Sequence, residues 1–269
     1  MGAVAEVPLD NWERFEGEIS QLFERFEKMK GHSASKASVS EPLFRGQADS
    51  RWPLRTTLER FRAGPQSIAG YHRVLSIVSR AVQSHTGAAW SVIDGDVDER
   101  RQGPPPAYEF MIYLRHHGFP SPLLDWSQSP YVAAYFAFAQ RPAVGTDSVA
   151  IYAFREYMGQ AKVTDPADAR IIGCGPTVAT HERHYSQQCE YTICKKPMGD
   201  RYFYCDHEEA VDARQGAQDV MTKYVVPISE RERFLRKLDL MNISAYSLFR
   251  DEGSLMQTLA YRVMEKRGL

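Results

Sequence analysis

Three clusters of polar residues in this 269-residue chain have the types and spacing to do chemistry. The first is Arg45-Gly46-Gln47. An arginine held at a strand presents a planar fork of N–H donors that matches a phosphate or a carboxylate. Gly46 lets the backbone turn or lets a ligand come close, and Gln47 adds an amide. The competing role for Arg45 is structural, paired to a buried carboxylate, with Asp125 as the obvious partner. The second cluster runs from Arg115-His116-His117-Gly118 to Asp125-Trp126-Ser127-Gln128-Ser129-Pro130. Adjacent helical histidines point about 100° apart, so at most one faces a given site. Ser127 or Ser129 can cap a helix that Pro130 begins, and the free N–H groups of a helix start attract anions. Trp126 can stack on a base or a nicotinamide ring. In the plainer alternative it fills core, while Asp125 and the serines satisfy backbone donors. The third cluster is Arg183-His184-Tyr185-Ser186-Gln187-Gln188-Cys189-Glu190-Tyr191. A strand from Cys189 would put Gln188 and Glu190 on one face. There they could hold a ribose hydroxyl and stabilise developing positive charge, or simply form a polar face in water.

The elements that must position these clusters follow from patterning. Trp12, Phe15, Ile19, Leu22, Phe23 and Phe26 recur at helical spacing after Asp10, a cap with Glu13 three residues on. This predicts a first helix ending by Gly31 whose aromatic stripe packs into core, followed by a Ser-rich loop from His32 to Ser40. Leu43 to Gly46 reads as a short strand, and Leu54 to Phe61 and Ile68 to Ser84 as helices. Asp94 to Pro106, with three consecutive prolines, reads as an exposed loop before a helix at Ala107. Ser148 to Phe154 is the clearest strand. Cys189 to Cys194, Tyr202 to Cys205 and Lys223 to Pro227 are further strands. Ser229 to Leu238, capped by Ser229, and Gly253 to Lys266 read as helices. The pattern predicts an α+β fold, with a helical N-terminal half packed on a mixed or antiparallel sheet. Residues 1–31 form an N-terminal helix and 32–269 the main domain.

Composition narrows the function. Lys and Arg number 33 against 34 Asp and Glu, which argues against a globally basic nucleic-acid binder and leaves room for a local basic patch. No apolar run reaches the ~20 residues that span a bilayer, and the first residues do not read as a secretory signal. The expectation is a cytoplasmic protein without a membrane role. Cys174, Cys189, Cys194 and Cys205 form no CxxC pair, and their spacing with His207 is irregular. Free thiols are expected, and no metal site.

Phe44-Arg45-Gly46-Gln47 with Trp52-Pro53-Leu54 resembles the motif of the FRG domain family. His116-His117-Gly118-Phe119-Pro120-Ser121-Pro122-Leu123-Leu124-Asp125-Trp126-Ser127-Gln128-Ser129-Pro130 resembles its longest signature. Arg183 with Gln187-Gln188, and Ile243 to Phe249, resemble its C-terminal part. The family usually has Gln at Arg115, Arg at Pro122 and Gly at Cys189, so Arg115 is the candidate to supply the missing charge. A looser, fold-level resemblance is to ADP-ribosyltransferases, which place an arginine, a serine motif and a Gln/Glu-x-Glu on successive strands. It implies NAD as substrate, with Arg45, Ser127 and Glu190 catalytic and with Gly46, Gln47, His117, Asp125, Trp126 and Gln188 forming the NAD pocket. The activity would be ADP-ribosyl transfer to a macromolecular acceptor or NAD hydrolysis, in a toxin or phage-defence effector. The alternatives are a non-catalytic module binding a nucleotide or a nucleic-acid end, and a metal-independent nuclease with His116 or His117 as general base.

Overall fold

The computed structural model describes residues 4–32, 40–62, 64–92, 97–156, 168–176, 178, 182–211 and 220–266. The elements in chain order are β1 (Ala5–Pro8), α1 (Trp12–His32), β2 (Leu43–Gln47), α2 (Thr57–Phe61), β3 (Gln66–Ser67), α3 (Ile68–Thr86), α4 (Tyr108–His116), β4 (Leu124–Ser127) and α5 (Pro130–Phe138). Then follow β5 (Ser148–Arg155), β6 (Arg170–Gly173), α6 (Glu182–Ser186), β7 (Cys189–Met198), β8 (Arg201–Tyr204), β9 (Val220–Pro227), α7 (Arg231–Leu240), α8 (Ala245–Phe249) and α9 (Glu252–Ala260). The expected α+β class holds. The strands form one mixed sheet in the order β1-β9-β5-β2-β4-β7-β8-β3, with β6 on β7. Only β1 and β9 run parallel among the described pairs.

Strand β5 shows how the core is divided. Val149, Ile151 and Ala153 enter a cluster with α1, α5 and α7, while Ala150, Tyr152 and Phe154 enter another on the opposite face. Alternation sends successive side chains to opposite faces, and a strand covered on both sides reads as an unbroken apolar run. The α1 stripe is core as expected: Trp12, Phe15, Ile19, Leu22 and Phe26 are buried, and Trp12 packs edge-on against Phe234 of α7 at 4.9 Å. A third cluster joins α3 and α4 to Tyr191 and Ile193 of β7.

Several boundaries differ from the pattern. The cap of α1 is Asn11, whose Oδ1 accepts from Arg14 N at 2.9 Å, rather than Asp10. Helix α2 begins only at Thr57, because Thr56 and Glu59 close a capping box there. Ser229 does not cap α7; it lies in a 3₁₀ turn, Ile228–Glu230, and α7 starts at Arg231 without a side-chain cap. The last helix gives way to a π turn at Tyr261–Glu265. The largest difference is β4, where a helix-opening loop was expected. Leu124 and Trp126 are buried in the core, and the segment pairs with β7 from Leu124↔Thr192 to Ser127↔Cys189. Most of the Ser-rich loop (33–39) and part of the Pro-rich one (93–96) lie outside the described residues.

Candidate functional site

Strand β2 joins β5 along its whole length, from Leu43↔Phe154 to Gln47↔Ala150. It joins β4 at one register pair, Phe44↔Ser127. Beside that pair a side chain spans the two strands: Arg45 Nη1 donates to the backbone carbonyl of Asp125 at 2.7 Å. A cleft of about 740 Å³ opens at this seam, walled by Arg115 and His116 of α4 and by Ala133 and Phe136 of α5. Its volume falls within the roughly 300–1,000 Å³ of small-molecule sites.

The cleft is cationic. Arg45, Arg55, Arg60, Arg115 and Arg183 line it, against one lining carboxylate, Asp125. Arg115 Nη2 meets Asp125 Oδ2 at 2.6 Å. Arg183 Nη2 meets Asp251 Oδ2 at 2.6 Å. Burial lowers the Arg45 pKa to about 10; Asp125 opposes this, while Arg115 and Arg60 push it further down. Arg60 is lowered too, by desolvation and then by Arg115. Four buried atoms here lack a hydrogen-bond partner: the donors Arg45 Nε and Arg115 Nε, and the acceptors Gln47 Oε1 and Asp125 Oδ1. Native proteins leave few such groups unmatched, because each costs about 1–3 kcal/mol.

Six of the nine residues singled out in the sequence line this cleft: Arg45, Gly46, Gln47, Asp125, Trp126 and Ser127. In three cases the contacts bear on the expected role, and for Trp126 and Ser127 they are those of the plainer alternative. A Cβ on Gly46 would lie 2.0 Å from the carbonyl oxygen of Ala133 and 2.6 Å from Ala137 N. The close approach seen here is made by the α5 backbone. Trp126 has its ring in the core, stacked on Phe154 at 5.3 Å, with Nε1 donating to Thr192 Oγ1 at 2.8 Å, so it offers no face for a ligand ring. Ser127 Oγ donates to the Gln187 carbonyl at 2.7 Å and accepts from Ser129 N at 3.0 Å, which ties β4 to the turn before α5. Ser129 is the α5 cap, with Pro130 in its first turn.

His117, Gln188 and Glu190 stand outside the lining. His117 ends α4, stacks on Tyr113 at 4.2 Å and bonds to the Tyr113 carbonyl through Nδ1 at 2.8 Å. His116 takes the inward position, with Nε2 2.9 Å from Tyr191 Oη. Gln188 is left-handed, with φ of 49°, and precedes β7, so it does not share a strand face with Glu190. Gln187 reaches the cleft in its place. Glu190 lies opposite Trp126 in the register and accepts from Gln128 Nε2 at 2.7 Å. Burial raises its pKa.

Arg60, Phe136 and Phe249 also line the cleft, without a local pattern that marks them for it. Arg60 sits in the last turn of a five-residue helix, where spacing carries no signal. Arg115, the candidate replacement for the charge missing at Pro122, does reach the cleft. The described residues contain no group of three or more His, Cys, Asp or Glu placed to hold a metal ion. None of their helices is long and apolar enough to cross a membrane.

Searches of curated proteins and of solved structures returned no match. Residues 40–144 match the family model described as FRG domain. That span supplies Arg45, Arg60, Arg115, Asp125 and α5, whereas Arg183, Gln187, Cys189 and Phe249 come from beyond it. By this match the chain carries an FRG domain over residues 40–144.

Proposed function

We propose that the cleft binds a phosphate-bearing nucleotide. The observation that carries this reading is the unmatched polarity at the β2–β4 seam. Three arginines crowd one carboxylate, and two donors and two acceptors are left unpaired. A phosphate would satisfy the arginine N–H groups and relieve their mutual repulsion. The orphaned oxygens of Gln47 and Asp125 would take hydroxyl or amine donors from a sugar or base. Calorimetric titration of the full chain with ADP-ribose, NAD, AMP and pyrophosphate tests it. Saturable binding is expected, lost in Arg45→Ala and kept in Glu190→Gln. Failure of all four to bind at millimolar concentration, or equal binding by a folded Arg45→Ala protein, defeats it.

A second reading makes the same site that of an NAD-using enzyme. Adjacent strands β2, β4 and β7 carrying Arg45, Ser127 and Glu190 support it. It requires the Gln128–Glu190 pair to turn toward the cleft when ligand enters. Nicotinamide release from NAD, abolished by Glu190→Gln, would select this reading over simple binding. Growth arrest on expression, relieved by Arg45→Ala, would assign the toxin or defence role. RNA cleavage lost in a His116→Ala variant would favour the nuclease instead.

A further inference from the structure

A second cavity of about 600 Å³ shares Phe136, Gln140 and Phe249 with the arginine cleft as common walls. The two rings meet edge to face, 6.0 Å apart at 87°. The chemistry of this cavity is the opposite of its neighbour's. Glu265 is shared by Arg231 at 2.9 Å and Arg141 at 3.3 Å. Asp239 is shared by Arg262 at 2.7 Å and Lys266 at 2.6 Å. The serine and threonine hydroxyls are engaged as well: Ser244 caps α8, and Thr258 Oγ1 accepts from Tyr246 N at 2.9 Å. What remains to meet a ligand is mostly apolar, Tyr135, Phe136, Leu235, Ile243, Phe249 and Tyr261, with the amides of Gln140 and Gln257 beside them.

One buried polar atom of a lining residue is unsatisfied. The Tyr261 hydroxyl is buried without a hydrogen-bond partner. Tyr261 also opens the π turn, which the Lys266 N–H closes onto the Tyr261 carbonyl at 2.8 Å. Such turns are rare and recur at functional sites. We propose that this cavity binds a small, uncharged aromatic group of the phenol type, whose single hydrogen-bonding atom meets the Tyr261 hydroxyl. Four aromatic rings in the wall favour an aromatic guest through edge-to-face contacts. A charged guest would be desolvated with no free counter-charge to meet it. The proposal is independent of what fills the arginine cleft.

Fluorine NMR of the full chain titrated with 4-fluorophenol, fluorobenzene and 4-fluorobenzoate tests it. The first two should bind saturably and the benzoate should not. Ala260→Phe, which fills the cavity from α9, should abolish both without lowering Tm. If that variant is destabilised, Ala139→Leu narrows the same space from the end of α5 and should give the same loss. Tyr261→Phe should weaken 4-fluorophenol by about two- to tenfold and leave fluorobenzene unchanged. Absence of binding at millimolar probe, binding indifferent to the filling variants, or benzoate binding as tight as phenol overturns the proposal.

Discussion

Substitution of Gly46 by alanine should be the most damaging single-methyl change in the FRG motif. Real Cβ atoms essentially never come within 3.0 Å of another heavy atom, yet an added Cβ here would sit 2.0 Å from the Ala133 oxygen. The obstacle is backbone, so no rotamer change relieves it. Helix α5 would have to withdraw from β2 by about 1 Å. That helix seats Ala133, Ala134, Ala137 and Phe138 in the core, all essentially buried, and a rigid withdrawal would open gaps around each of them. Overpacking costs about 1–3 kcal/mol and occasionally more; a clash between two backbones belongs at the top, about 3–4 kcal/mol. A domain of this size loses roughly 2–4 °C per kcal/mol, so Tm should fall by about 6–16 °C in a calorimetric or circular-dichroism melt. Gly17→Ala in α1 is the control. Its new Cβ meets nothing within 4 Å, and helix propensity should leave Tm unchanged or slightly raised. A Gly46→Ala protein melting within about 2 °C of the parent would refute the close-approach account.

Three further outcomes are expected. His207 is buried beside Arg45, and burial holds its pKa down from 6.5 to about 3. The unfolded chain therefore binds the extra proton first, and stability present above pH 6.5 should be lost as pH falls toward 3, by about 2–3 kcal/mol at pH 4.5; urea melts of His207→Gln should show a flatter acid limb, and an unchanged limb would contradict this. Lys195, almost wholly buried, donates to the carbonyls of Glu99 at 2.6 Å and Arg101 at 2.8 Å. Lys195→Met should cost about 1–3 kcal/mol and expose the segment before α4 to limited proteolysis; equal protease resistance would count against that anchor. Cys174, Cys189, Cys194 and Cys205 are free and buried, and burial raises the thiols of Cys174, Cys189 and Cys194. Iodoacetamide should therefore leave the native protein unmodified and alkylate four sites after denaturation. Rapid native labelling would show the core to be looser than described.

Strand β5 and the stripe of α1 were legible because burial on two faces, or on one helical face, leaves a period in the sequence. Strand β4 was not legible. Four residues carry too little period, and Asp125, Ser127 and the following proline read as a loop and cap. What makes it a strand is β7, which lies more than 60 residues away. The site was legible by residue type at Arg45, Gln47 and Asp125. It was misread at Gln188 because one left-handed residue shifts the alternation by a step, and spacing cannot reveal that. Gly46 reads in the sequence as a turn or a ligand contact, whereas its close neighbour is a helix encoded some 90 residues later. Arg60 reaches the cleft only through tertiary placement of a short helix, and nothing local marks it.

The parallel pairing of β1 with β9, from Ala5↔Thr222 to Pro8↔Val225, sets an order of events during synthesis. At roughly 5–20 residues per second, β1 leaves the ribosome about 10–40 s before its partner exists. β2, inside the FRG-matching span, also waits for β5 beyond residue 144 before its second edge is covered. The nascent chain must carry these strand edges with backbone N–H and C=O groups unpaired until β5 and β9 have been made. A gene fragment cut at residues 40 and 144 would keep that exposed state permanently.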